Sequence, residues 1–310
     1  MRAETCTGNV PLSLMVPTFN RVEKLKICIG HIAAQTCKDF TLVVSNNGSN
    51  DGTREYLDSL PPSPNLIIKH LPENLGLVRN HEQCISLCDS EWIAFVSDDD
   101  RIAPDFVAQI LPYLSSSKYA IIQPGFECRD QYGAVLARFA PDEIGFRPAD
   151  ALQEMLNHPV GGRIGCAGIA GFAMRRSALL QYQPFQDYPG AFFMDTYMYF
   201  CLAMAGGIQT IPPVIYTRVE WGGSATNAPR NFENQLKARK KFVREFRTEL
   251  IARTRDWSPA DKNDVLSSLR YWEVNTPFSL RRRIGRIEMM RRLLDLSWVK
   301  GLRRRLGQIP

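Results

Sequence analysis

The sequence predicts an α/β fold: a mainly parallel sheet flanked by helices and followed by a helical C-terminal extension. Three observations lead there. Short apolar runs rich in β-formers, too brief for typical helices, alternate with segments of helical spacing through the first hundred residues. Turns of Gly, Asn, Ser and Pro separate them. From residue 231 the texture changes to long stretches of good helix formers dense in Arg and Lys. A chain of 310 residues with 45% hydrophobic and 23% charged side chains can bury a full core. No apolar stretch approaches the roughly 18 residues of a spanning helix.

Leu12 to Val16 reads as a first buried strand closed by Pro17, and Arg21 to Gln35 follows with apolar residues at 22, 25, 29 and 32, a helical spacing. Phe40 to Val44 is the second strand. Two glycines in the loop SNNGSNDGT admit unusual backbone angles, and Thr53 at its end can cap the next helix, which carries Tyr56, Leu57 and Leu60. Asn65 to His70 makes the third strand, a helix runs from about Leu77 to Cys88, and Trp92 to Val96 is the fourth strand. Three strand-helix units feeding a fourth strand imply right-handed crossovers, so the loops at 17–20, 45–52 and 97–101 share one rim. Tyr119 to Gln123 reads as another strand, residues 126–140 as a hairpin around Gln131–Gly133, and Ala149 to Asn157 as a short helix. The glycines of VGGRIGCAG then let the backbone pass close to either a ligand or a tightly packed neighbour. Beyond Asn231, one helix follows QLKARKKFVREFRTELIARTR and a second opens at Ser258–Pro259, with Ser as cap and Pro in the first turn. A third spans about Ser279 to Arg305.

The net charge of +6 is unevenly spread. Residues 231–310 hold 20 Lys and Arg against 9 Asp and Glu, whereas residues 1–230 hold 18 against 23. Such asymmetry points the tail toward an anionic surface, lipid or nucleic acid, and the acidic main part argues against nucleic acid. The last helix sets Ile284, Ile287, Met290, Leu294 and Trp298 against ten basic residues and only Glu288 and Asp295. This suits a helix lying on an anionic membrane surface through 279–310; the plain alternative packs that apolar stripe on this chain or on a partner. Eight cysteines include no Cys-x-x-Cys pair, so neither a zinc site nor a disulfide framework is expected. The opening MRAETCTGNV lacks an apolar core, and the expected location is cytoplasmic, peripheral on the inner face of the membrane if the tail binds lipid.

The chemistry concentrates in EWIAFVSDDDRIAP. A buried strand there ends in three carboxylates, and ligands of open α/β sheets gather beyond the carboxyl ends of strands. Asp98, Asp99 and Asp100 can hold a hard divalent cation together with substrate phosphates, or form a solvated acidic turn that caps the helix near Pro104.

Four runs, VPTFNR, VVSNNGSNDGT, ENLGLVRN and FVSDDDRIAP, come in the order and at about the spacing seen in family 2 glycosyltransferases of the GT-A fold. The sequence resembles them further through AGIAGFAMRRSAL, 167–179, and FFMDTYMYFCLAMAGGIQTIPPVIYTRVE, 192–220. The resemblance implies a GT-A catalytic domain over 1–230, with a donor half near 1–124 and an acceptor half near 125–230, ahead of the basic helical extension 231–310. It implies inverting, metal-dependent transfer of a sugar from a nucleotide-sugar donor to a hydroxyl of a glycan or lipid-linked acceptor, with Mn2+ or Mg2+ as cofactor. No Gln-x-x-Arg-Trp motif occurs, so non-processive addition is favoured over polymer synthesis.

Carried over residue by residue, the resemblance makes Asp99 the metal ligand and Asp98 the residue facing the donor ribose. Ser97 replaces the first Asp of the family's Asp-x-Asp, and Asp100 is left to orient the loop. Asp195 matches the general base, with Met194 where the family has Glu; its apolar, aromatic neighbours would raise its basicity by desolvation. Pro17, Thr18 and Asn20 match the first donor-contacting loop. Asn46 and Asn47 stand where the family usually has Asp. A carboxylate only accepts, suiting the N3–H of uracil or thymine, whereas an amide can also donate to cytosine N3, so UDP, dTDP and CDP donors stay open. Arg79, followed by Asn80, matches an arginine that reaches the donor or braces the acidic loop, with an ion pair to Asp98 or Asp100 as the structural alternative. Arg218 and WGGSATNAPR match a segment that closes over the diphosphate, with Glu220 and Trp221 where the family often has His. Gly168, Gly171 and Trp221 are assigned to the acceptor. The histidines at 31, 70, 81 and 158 lack ligand spacing.

Two rival readings are weaker. A sugar nucleotidyltransferase would carry a glycine-rich, basic loop after strand one, which VPTFNR is not. A catalytically silent domain that binds nucleic acid through its tail is opposed by Asp98, Asp99 and Asp195.

Overall fold

The computed structural model describes residues 11–158, 162–164, 168, 170–182, 185, 187–220 and 232–273. In the first half, β1 (Leu12–Thr18), β2 (Thr41–Asn46), β3 (Leu66–His70) and β4 (Trp92–Phe95) lie parallel in the order β3-β2-β1-β4. Helices α1 (Val22–Ala33), α2 (Thr53–Asp58) and α3 (Leu77–Ser86) connect them, as the alternating pattern requires. The central strands β1 and β4 are nearly continuous apolar runs because both of their faces are covered.

Two local expectations change. Strand β1 does not close at Pro17 but continues to Thr18, opposite Ser45 and Asn46 of β2. Pairing with β4 has already ended at Met15, so the N–H that proline lacks leaves no gap in that ladder. The cap of α2 is Gly52, at φ 90°, rather than Thr53. Thr53 is buried and donates its hydroxyl to Asp51 Oδ1 at 2.6 Å, while the left-handed backbone falls to the residue without a Cβ.

The second half adds β5 (Arg101–Ile102), α4 (Phe106–Leu114), β6 (Ile121–Asp130), β7 (Val135–Phe139), β8 (Ile144–Phe146) and α5 (Pro148–Asn157). It continues with β9 (Ala173–Arg175), α6 (Arg176–Leu180), α7 (Met194–Gly206) and β10 (Ile208–Glu220). The sheet extends as β4-β9-β6-β10-β5, with β7 on β6 and β8 on β10. Strand β9 runs antiparallel to β4 and β6, whereas β6 and β10 form a long parallel ladder. The expected hairpin is the β6–β7 pair, turning at Gly133 with φ 93°.

Helices α8 (Phe232–Arg253) and α9 (259–273) follow. Ser258 Oγ accepts the Asp261 N–H at 3.1 Å, the cap expected of it, and donates to the Asp261 carboxylate at 2.8 Å. Along α8, Phe242, Phe246 and Leu250 are buried at helical spacing while Lys240, Arg244 and Arg247 are exposed. One continuous buried cluster joins this stripe to α7 and the sheet. The expected helix from Ser279 to Arg305 lies outside the described residues. Among the described residues no helix is long and apolar enough to cross a membrane, and Cys28, Cys37, Cys84, Cys88, Cys128 and Cys201 are free thiols.

Candidate active site

The three loops at the carboxyl ends of β1, β2 and β4 meet. Asn47 donates its backbone N–H to Thr18 O at 3.0 Å. Asn20, at φ 51°, donates its backbone N–H to Ser49 Oγ at 2.9 Å and accepts the Asn50 N–H through Oδ1 at 2.9 Å. Asp51 Oδ2 accepts the N–H of Val22, an orphan donor at the start of α1, at 2.9 Å.

At the end of β4 the three carboxylates are held differently. Asp98 is buried, with Oδ2 accepting the Thr18 hydroxyl at 2.7 Å and Oδ1 accepting Arg21 Nη1 at 2.8 Å. Burial pushes its carboxyl above the ordinary value, against the Arg21 charge and the Thr18 hydrogen bond. The same Arg21 nitrogen reaches Asp99 Oδ2 at 3.2 Å, and Lys24, one turn along α1, lies within electrostatic reach of Asp99. Asp100 faces the other way. It accepts the hydroxyl of Tyr216 and, at 2.8 Å, the backbone N–H of Val219, and burial raises its carboxyl to about 6 despite both bonds.

These bonds tie the acidic turn to the last part of β10, which carries Arg218. Asp195 lies at the start of α7, with Oδ1 accepting the Thr196 N–H at 2.7 Å. Burial raises the Asp195 carboxyl, and the Thr196 hydrogen bonds and the Arg218 charge oppose the shift. Gly168, at φ 93°, passes so close that a Cβ built on it would stand 3.4 Å from Asp195 Oδ2. Two residues on, Ala170 bridges Phe95 and the Gly171 N–H bonds Phe95 O at 3.0 Å. The end of β4 and the helix that carries Asp195 are thereby joined through one short segment.

Several expected site residues have other partners. Arg79 makes no ion pair with Asp98 or Asp100; it pairs with Glu82 at 2.8 Å, one turn along its own helix, and is largely exposed. The arginine that braces the acidic turn is Arg21. It stands in VPTFNR, but its partner lies 77 residues away and nothing local signals the pairing. Asn47 gives its amide hydrogens to Asn74 Oδ1 at 2.8 Å and Gly76 O at 3.2 Å and accepts the Leu75 N–H at 2.9 Å. It clasps the loop after β3, which leaves it no donor for a cytosine ring. Asn46 donates to His70 Nδ1 at 3.0 Å and accepts the Ser49 N–H at 3.1 Å. Gly171, at φ 85°, makes room for the Tyr216 ring, which would lie 2.5 Å from a Cβ there, so its close approach is to protein. Trp221 and the segment 221–230 lie outside the described residues. His81 is buried, pushed down to about 4 by burial, and bonds Leu77 O at 2.8 Å.

Mn2+ or Mg2+ can be tested against the donor set. Among the described residues no three His, Cys, Asp or Glu gather as a ligand group. Asp98 and Asp99 present hard oxygen ligands, and Asp99 retains partial exposure; the nearby Cys28 thiol is buried and donates to Ser97 O at 3.6 Å. Such a set fits a cation that keeps its waters and takes its remaining ligands from a diphosphate.

Fold and site together define a glycosyltransferase of the GT-A type. The profile of Glycosyl transferase family 2 matches residues 13–182, more than half of the chain, and the chain belongs to that family. Over 106 residues it is 30% identical to a PGL/p-HBAD biosynthesis glycosyltransferase of Mycobacterium tuberculosis, covering 33% of this chain and 41% of that protein. Over 109 residues it is 32% identical to the abequosyltransferase RfbV of Salmonella typhimurium, covering 34% of this chain and 33% of that protein. The matched segment thus spans less than half the length of these relatives. Among solved structures, TarS 1–349 of S. aureus in complex with UDP-GlcNAc superposes with a TM-score of 0.67 at 15% identity, covering 84% of this chain and 72% of that one. The mannosyltransferase PcManGT from Pyrobaculum calidifontis, in complex with GDP-Man and Mn2+, gives 0.56 at 17% identity, covering 87% and 72%.

Proposed function

We propose that this glycosyltransferase moves a sugar, with inversion and one residue at a time, from a nucleoside-diphosphate donor to a hydroxyl of a glycan or lipid-linked acceptor. The observation that carries this reading is the convergence at one rim of a buried acidic turn and a desolvated carboxylate. Asp98, fixed on both oxygens, orients toward the donor ribose, with Pro17, Thr18, Asn20 and Asn46 around the nucleoside. Asp99 is the ligand for Mn2+ or Mg2+, which when bound neutralises charge growing on the departing diphosphate. Arg218 and Arg79 lie toward the diphosphate side, and the acceptor enters past Gly168 and Trp221. Asp195, its basicity raised by burial, takes the proton of the attacking hydroxyl as the new bond forms. The donor half spans about 1–124, the acceptor half about 125–230, and 231–310 the extension. TarS, solved with UDP-GlcNAc, and PcManGT, solved with GDP-Man and Mn2+, support nucleotide-sugar use and a divalent ion as analogies from the same fold.

The Asn47 clasp weakens the case for a cytidine donor and favours a uridine or thymidine nucleotide. Calorimetry with UDP, dTDP, CDP and GDP in the presence of Mn2+ tests this. Micromolar binding of UDP or dTDP is expected, and binding of none of the four would sink the reading. The basic composition of segment 279–310 supports association with an anionic membrane surface; equal flotation with anionic liposomes after its deletion would remove that part of the proposal.

A further inference from the structure

The segment leading into α7 has an unusual backbone. Gly190, Ala191 and Phe193 have φ of 69°, 56° and 66°, and two of these three residues are not glycine. A bulky residue keeps a left-handed conformation only where its surroundings over-determine it, and such outliers cluster at functional sites. Phe193 is the cap of α7 and stands two residues before Asp195.

The C-terminal helices supply the surroundings. The Phe193 ring stacks on Phe242 of α8, with centroids 5.6 Å apart and planes at 23°, and meets Trp272 of α9 edge-on at 6.2 Å. Phe242 and Trp272 contact each other at 5.4 Å. Arg239 covers the Trp272 ring at 5.1 Å and donates to its backbone oxygen at 3.2 Å, fixing the second wall. Upstream, Lys241 Nζ donates to Asp187 O at 3.0 Å and lies over the Tyr188 ring at 5.3 Å. Downstream, Phe193 O accepts the Tyr197 N–H at 2.8 Å, opening the helix whose first turn carries Asp195.

We propose that α8 and α9 form a clamp on the catalytic helix, in which Phe242 and Trp272 hold Phe193 in its left-handed conformation and so fix the carboxylate of Asp195 toward the acceptor. Phe193, Phe242 and Trp272 are positioning residues. The described part of the extension is then part of the catalytic unit: Lys240, Arg244 and Arg247 are exposed while Phe242 packs on Phe193, Tyr197 and Phe200. The inference rests on the reading of Asp195 as general base.

The test reads the start of α7 directly, on the full chain labelled with 13C at aspartate carboxyls, with Asp195→Asn marking the Asp195 resonance. Phe193→Gly removes the ring where glycine accepts the backbone freely, so the fold is not strained. Phe242→Leu removes the partner ring, and Trp272→Phe keeps an aromatic wall. In the first two variants amide exchange at Thr196 and Tyr197 is expected to speed by about tenfold or more, with β1 and β4 amides unchanged. The Asp195 titration midpoint is expected to fall toward its ordinary value as water reaches the carboxylate. Arg218 on β10, the charged neighbour that bears on Asp195, is unaltered throughout. Trp272→Phe should stay near wild type. Wild-type exchange and midpoint in Phe193→Gly would overturn the clamp, as would a uniform rise in exchange across the sheet in Phe242→Leu. Failure of the base is a separate outcome: sugar transfer that survives Asp195→Asn removes the role of Asp195 and leaves the exchange readout to decide the clamp.

Discussion

Arg21 supplies the only guanidinium paired with the acidic turn among the described residues. Arg21→Met leaves the buried Asp98 with the Thr18 hydroxyl alone, and loss of one partner of a buried acceptor costs about 1–3 kcal/mol. Chemical denaturation at neutral pH should show that loss. Two glycines only three positions apart should respond in opposite ways. Gly171→Ala would drive a Cβ into the Tyr216 ring, so it should reduce stability by more than the roughly 1 kcal/mol of an ordinary glycine replacement. Gly168→Ala meets only the tip of Asp195, and beyond the cost of its positive φ it should reduce turnover far more than melting temperature. The notable residues the sequence did not disclose, Arg21, Tyr216 and Phe193, all act through partners remote in the chain. The clasp of Asn47 on the loop after β3 was hidden for the same reason, since a polar residue in a turn does not announce which loop it will face.

At the scale of elements, β4 and β10 are coupled through Asp100. Tyr216→Phe removes a hydroxyl donor from a carboxylate that burial already raises to about 6. At pH 7 the charged carboxylate loses a stabilising bond, at a cost of about 1–3 kcal/mol, and at pH 5 the protonated group loses less. Denaturation of wild type and variant at both pH values checks this; an equal loss at both would contradict the assignment. The strands and helices themselves were legible because their signals are local. Apolar runs between Gly- and Asn-rich turns gave β1 to β4, and Ser258 with Pro259 gave the start of α9. Where two local signals competed, tertiary packing chose: Thr53 was drawn into the core and Gly52 took the cap.

For the whole molecule, burial raises the carboxyls of Asp98, Asp100 and Asp195 together. A carboxyl raised in the folded state stabilises below its unfolded value and loses that contribution as pH rises through its folded value. The three carboxyls together should therefore add stability as pH falls from about 7 toward about 4, Asp100 alone on the order of 2 kcal/mol, while the buried His81, pushed down to about 4, takes stability away over the same range. Urea titrations of wild type and Asp100→Asn across that range separate the two: a wild-type advantage that grows as pH falls is expected, and a difference independent of pH would contradict it. The loop convergence at one rim followed from chain topology alone. The packing of the extension against α7 did not, because the aromatic stripe of α8 is equally compatible with a partner or a membrane. The central claim is that Asp195 performs the proton transfer at a donor site built on Asp98 and Asp99. It is tested most directly by comparing wild type and Asp195→Asn for nucleotide binding and for sugar release from a nucleotide-sugar donor with Mn2+. Binding within a factor of about two and turnover lower by roughly a hundredfold or more are predicted; wild-type turnover in Asp195→Asn would contradict the account.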